Sequence, residues 1–203
     1  MRFRPWNRSV AVLAAILAFT IEGAAQQASV QALLERGALD EAVQRAERER
    51  DNSESTFFAA LAFARMNDSG RAVEQYSRLR ETGDASWKAI GESGALLTEG
   101  NGDGAMQAAE RAVAANGGNA YAHYQLGAVA NRQGNNERAA AAFGRAVELK
   151  PDFAYAHYYA GLANQRLKNI VRMSEHFEAF MRLAPDAPER NAVAAILRTM
   201  RPY

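Results

Sequence analysis

Small and apolar positions recur along this chain with a spacing that predicts its elements. Ala120-Tyr121-Ala122-His123-Tyr124 returns as Ala154-Tyr155-Ala156-His157-Tyr158, an offset of 34 residues. The register then runs without a gap through Gly127/Gly161, Phe143/Phe177, Pro151/Pro185 and Asp152/Asp186. A fixed period of about 20–50 residues means stacked supersecondary units, each too small to bury its own apolar face, that become stable by covering one another. Such an array is expected to present a binding surface. Run backwards, the register gives a degenerate unit from Ser86 with Ala105, Ala109 and Ala112 at the matching positions and Gly117 where Pro would stand. Gly100-Asn101 and Gly134-Asn135 mark the turn between helices at one offset, since Gly serves a helix end and Asn a turn or cap. A further unit from Ser53 carries Ala60, Ala72 and Tyr76 and is one residue short of the period. Before it, residues 27–50 read as a helical hairpin: a helix to Arg36, a stop at Gly37, then Asp40 as cap of a second helix containing Ala42, Val43 and Ala46. After Asp186, Pro188 suits a first helical position, and Val193, Ile196, Leu197 and Met200 follow at helical spacing. Glu189, Arg190, Arg198 and Arg201 would dress the outer side of this capping helix; a truncated extra repeat is the alternative.

Counting Ala120 as position 1, Gly127 occupies position 8, Ala139 position 20, Phe143 position 24, Ala146 position 27 and Pro151 position 32. The pattern resembles the tetratricopeptide repeat (TPR). The resemblance implies an all-α fold, a right-handed α-solenoid of antiparallel helix pairs closed by a C-terminal capping helix. In that family the small residues let the two helices approach, the aromatic fills the gap, and Pro ends the second helix. The unit from Ala154 keeps Gly161, Phe177 and Pro185 but has Met173 at position 20 and Phe180 at position 27, so looser or rearranged packing is expected there. Position 4, usually Trp in the family, is His123 and His157. The resulting organisation is a hairpin over 26–52, degenerate units over 53–85 and 86–119, clear units over 120–153 and 154–187, and a cap over 188–203.

The first 25 residues carry another kind of signal. Arg2, Arg4 and Arg8 precede an uncharged run from Val10 to Ile21, and small residues Gly23-Ala24-Ala25 follow. This is the pattern of a secretory signal peptide cut after Ala25. The run is shorter than the roughly 20 residues a membrane span needs, and Glu22 closes it, so an uncleaved anchor is the lesser alternative. The location expected is the bacterial periplasm or the secreted fraction. The chain has 24 Lys and Arg against 23 Asp and Glu; without Arg2, Arg4, Arg8 and Glu22 the balance is near minus one, and nucleic acid is not an expected partner. With no cysteine, neither a disulfide nor a thioether-linked lipid is available.

The family resemblance implies a concave groove lined by the first helix of each pair, at positions 2, 5, 9, 12 and 13. Position 2 holds Trp87, Tyr121 and Tyr155; position 5 holds Phe57, Ile90, Tyr124 and Tyr158. Position 12 holds Asn131 and Gln165, and position 13 holds Arg65, Arg132 and Arg166. An aromatic stripe edged by arginines would suit a peptide with apolar side chains and one or two acidic groups, because Tyr and Arg carry much of the energy at protein interfaces. Aromatics at helical spacing equally suit packing between helices. The Lys and Asn of the carboxylate clamp found in chaperone-binding members are replaced by Tyr124, Tyr158, Ala128 and Leu162, so that ligand is not expected.

Enzymatic chemistry finds no support. There is no cysteine nucleophile, and Gly91-Glu92-Ser93-Gly94 lacks the spacing of a nucleophile elbow. His123 and His157 occupy equivalent packing positions, so no metal ligand and no cofactor is expected. Glu99-x-Asn101-x-Asp103-Gly104 with Glu110 approaches a calcium loop, but Glu at its first position does not reach the ion and the register places the segment on an ordinary turn. The function expected is an exported TPR interaction module or scaffold that binds a partner peptide in its groove. A structural subunit contacting through its convex face or ends is the alternative, and a calcium-binding protein the least favoured.

Overall fold

The computed structural model describes residues 28–199. The leader assigned to residues 1–25, and Met200 and Arg201, which the sequence places on the capping helix, lie outside the described residues. Within them, eleven helices follow one another: α1 (Val30–Glu35), α2 (Leu39–Arg48), α3 (Ser53–Arg65), α4 (Ser69–Thr82), α5 (Ala85–Thr98), α6 (Gly102–Ala115), α7 (Ala120–Arg132), α8 (Asn136–Leu149), α9 (Ala154–Arg166), α10 (Ile170–Leu183) and α11 (Arg190–Arg198). Among the described residues there is no strand. None of these helices is long and apolar enough to cross a membrane.

Local chemistry fixes most of the boundaries. Ser29, Asn52, Asp68, Asn101, Asn135 and Asn169 each accept the backbone N–H three residues on, and Asp84 and Asn119 the N–H two on, so eight helices start on a side-chain cap. The turn within each pair places one residue in the left-handed region: Gly37, Asn67, Gly100, Gly134 and Lys168, with φ between 56° and 87°. Glycine takes that conformation freely; Lys168 does not. Two expected boundaries move. Ala38, not Asp40, precedes α2, leaving Asp40 in the first turn, and Pro188 sits in the turn before α11.

Consecutive helices pack antiparallel, with α1, α3, α5, α7 and α9 forming an inner row and α2, α4, α6, α8 and α10 an outer one. Gly127 and Gly161 show why position 8 is small: a β-carbon there would lie 2.8 Å and 2.5 Å from the rings of Phe143 and Phe177. Where Met173 and Phe180 enlarge the last pair, both are fully buried and Phe180 meets Tyr155 and Tyr158, with ring centres 5.9 and 5.1 Å away. The packing there is rearranged and is not loose. Polar side chains pin neighbouring pairs as well. Ser93 donates to the Ala105 carbonyl and accepts from Gln125, while Ser86 donates to the Ala112 carbonyl and accepts from Asn119. These four groups are buried and satisfied, so they fix the relative position of α5, α6 and α7.

Candidate interaction surface

The inner row brings the predicted groove residues together, and most of them face one another. Phe57 lies 6.1 Å from Trp87, 5.3 Å from Tyr121 and 5.9 Å from Tyr124, measured between ring centres. Phe58, also on α3, packs edge-on against Tyr121 and Phe153. Phe153 stacks on Tyr124 at 4.8 Å. Phe57, Tyr121, Tyr124 and Tyr155 retain 0, 7, 4 and 3 % of their exposure, whereas Trp87 and Tyr158 are half-buried. The open aromatic stripe expected from the sequence is therefore corrected: its centre is core. The reason is α3, whose Phe57 and Phe58 lie across the starts of α7 and α9 and take these rings out of water, a gain of about 25 cal/mol per Å² of apolar surface. Burial also raises the hydroxyl pKa of Tyr124 and Tyr155, so neither acts as a base.

The arm at the start of the described chain closes this side further. Gln31 of α1 donates to the Asp152 carbonyl at 2.8 Å and to Glu35, and Glu35 accepts the Ala154 N–H at 3.1 Å. Helix α9 has no cap of its own, because Phe153 stands where α7 has Asn119; Glu35 from α1 supplies it. Desolvation raises the Glu35 pKa to about 7 against the opposing effect of its two hydrogen bonds. A second link ties α3 to the turn before α11. Arg65 pairs with Glu189 at 2.8 Å, donates to the Leu34 carbonyl and lies over the Tyr155 ring, and the Tyr155 hydroxyl donates to Glu189. Glu189, expected on the outer side of the cap, thus faces inward. No local pattern marks Gln31, Glu35 or Glu189; the one available trace is the aromatic Phe153 at a capping position.

What stays open is the edge formed by the ends of α7 and α9. Arg132 and Arg166 are exposed, Asn131 and Gln165 half-buried, and Arg166 donates to Asn131 across the repeat boundary. Neither arginine has an ionic partner among the described residues. Half-buried Ala128 and Leu162 lie one helical turn before them. The arrangement offers two guanidinium forks over a small apolar floor, which suits carboxylates attached to an extended segment.

The other motifs have structural assignments. Ser93 is buried within α5. Asn101 caps α6 and Glu110 pairs with Arg138, so both are engaged in the turn and the helix face. His123 and His157 hold equivalent carbonyls through Nε2, Gly117 at 3.0 Å and Pro151 at 3.2 Å, which accounts for histidine at position 4 in both units. His157 Nδ1 also meets His176 Nδ1 at 3.2 Å.

Residues 130–168 match the family model described as TPR repeat. No curated protein sequence matches the chain. Among solved structures, a thermophilic TPR protein from Thermus thermophilus is similar at 18 % identity and a TM-score of 0.59, over 80 % of this chain and 92 % of that one. YrrB, a TPR protein with an unusual peptide-binding site, is similar at 18 % identity and a TM-score of 0.50, over 80 % and 82 % of the two chains. MamA from Desulfovibrio magneticus RS-1 is 26 % identical with a TM-score of 0.47, over 76 % and 90 %. With the repeat matched over 130–168 and the helix pairs stacked as in the first two of these structures, the chain is a helical solenoid of the TPR type.

Proposed function

We propose that this protein is an exported interaction module that holds an acidic segment of a partner protein on the open edge of its concave side. The observation that carries the reading is the repeated Asn131-Arg132 and Gln165-Arg166, whose arginines are exposed in register and without ionic partners among the described residues. Half-buried Ala128 and Leu162, with half-buried Tyr158 one turn further back on α9, supply adjoining apolar surface. YrrB carries its peptide site on the same kind of fold, which supports the class of function. Export rests on Arg2, Arg4 and Arg8 before the run Val10–Ile21; N-terminal sequencing of the protein recovered from an expression host's periplasm should begin at Gln26.

A pull-down from envelope and secreted extracts tests the binding reading. The mature chain is run against Arg132→Ala/Arg166→Ala and against Tyr124→Ala/Tyr158→Ala, each checked by circular dichroism. A partner lost with the arginine pair, in a folded variant, supports the edge as the site. A partner retained by both variants moves the function to the convex face or the ends, the structural-subunit alternative. The tyrosine pair is expected to lose stability, since Tyr124 is core.

A further inference from the structure

The outer face holds a cleft that the concave reading does not use. It lies between α4, α5 and α6 and has a volume of about 600 Å³. Arg80, Lys88 and Arg111 stand around it, with Glu92 as the single carboxylate on its wall. Glu92 is engaged by Arg111 at 2.8 Å, whereas Arg80 and Lys88 have no side-chain ion pair or hydrogen bond among the described residues. Elsewhere along the outer helices Arg45, Arg78, Arg138 and Arg145 pair with glutamates, whereas Arg48, Arg172 and Arg182 have no side-chain ion pair among the described residues and do not line this cleft. The floor is made of alanines, with Ala89 buried and Ala114 and Ala115 exposed. In a chain with 24 basic and 23 acidic residues, this is a local excess of positive charge in a concave place.

We propose that this cleft is a second docking surface, for an acidic peptide segment carrying small side chains between its carboxylates. Alanine floors allow a peptide backbone to approach closely, and no large side chain has to move aside. The unpaired Arg80 offers a planar fork to one carboxylate, and Lys88 a point charge to another. Both cations are exposed and already solvated, so pairing them costs little desolvation and the electrostatic gain is salt-dependent. The cleft is lined by α4, α5 and α6 and shares no residue with the edge at Arg132 and Arg166, so occupancy of the cleft leaves that edge free.

The test uses a fluorescently labelled peptide of alternating glutamate and alanine and the mature chain, followed by anisotropy. Binding should weaken about tenfold or more in Arg80→Glu/Lys88→Glu, consistent with the loss of two close charge pairs. It should also weaken in Ala114→Gln/Ala115→Gln, which keeps every charge and fills the floor. Arg132→Ala/Arg166→Ala should leave cleft binding intact. Absence of binding to the wild type would overturn the inference. So would a loss confined to the charge-reversed variant with the floor variant unaffected, because that pattern is diffuse attraction without a cleft. A loss confined to the Arg132/Arg166 variant overturns it too, and places the acidic segment on the concave edge instead.

Discussion

At the residue scale the two clear repeats are held by contacts with little tolerance. A methyl group at Gly161 would meet the Phe177 ring at 2.5 Å, and Phe177 is fully enclosed, so the ring has nowhere to move. Gly161→Ala is expected to destabilise by about 1–3 kcal/mol despite alanine's better helix propensity, as read from urea unfolding. Gly144, with open space around its would-be β-carbon, is the control: Gly144→Ala should stabilise by roughly 0.5–1 kcal/mol. The turn residues make the converse case. Lys168 holds φ of 56° at the slot that Gly100 and Gly134 occupy in earlier repeats. Lys168→Gly should therefore be neutral or stabilise by up to about 1 kcal/mol, where Gly134→Lys should destabilise by a similar amount.

At the element scale, α9 depends on a side chain more than a hundred residues earlier. Its first turn is capped by Glu35, and α1 is in turn held by that bond and by Gln31 on the Asp152 carbonyl. Glu35→Ala should destabilise by about 1–2 kcal/mol, the usual effect of losing a cap, and hydrogen exchange should quicken at Ala154 and along α1 together. Faster exchange at Ala154 alone would mean that α1 stays seated without this bond. The same dependence explains what was and was not legible in the sequence. Helix pairs, their turns and the Gly–Phe contacts follow from local periodicity, so Ala120 and Ala154 begin helices where the repeat places them. The groove did not follow, because position 5 faces a ligand only if the inner row stays apart. Phe57 and Phe58 on α3 close it, and their partner Phe153 lies in a loop outside any helical pattern. Phe57 stands at position 5 like Tyr124, so periodicity alone does not tell a ring that closes the row from one that lines a groove, and Phe153, which joins them, has Asn119 at the matching place one unit earlier.

At the scale of the whole molecule, buried Glu35 and half-buried His176 push the pH response of stability in opposite directions. Glu35 has its pKa raised to about 7 by burial, so the folded state holds its proton more tightly than the unfolded chain. Its contribution is present below about pH 4.5 and is lost as pH rises towards 7, on the order of 3 kcal/mol by linkage. His176 runs the other way: desolvation, then the neighbouring His157 and Arg172, push its pKa down to about 4. His157 is lowered as well, by burial and Arg182, against the raising effect of its bond to the Pro151 carbonyl. For these histidines the folded state releases protons, so stability is lost as pH falls from about 6.5 towards 4. The two effects oppose each other over much of the same window, and the wild type should show a shallow profile between about pH 4.5 and 6.5. Separating them exposes the slopes. In Glu35→Gln, which keeps an acceptor for Ala154 without a titrating proton, stability from urea unfolding should rise with pH across that window. In His176→Phe, which keeps a flat ring without a titrating nitrogen, it should fall across the same window. If both variants retain the shallow wild-type profile, neither group is desolvated as the geometry requires, and the arm formed by α1 does not sit against α9 in solution.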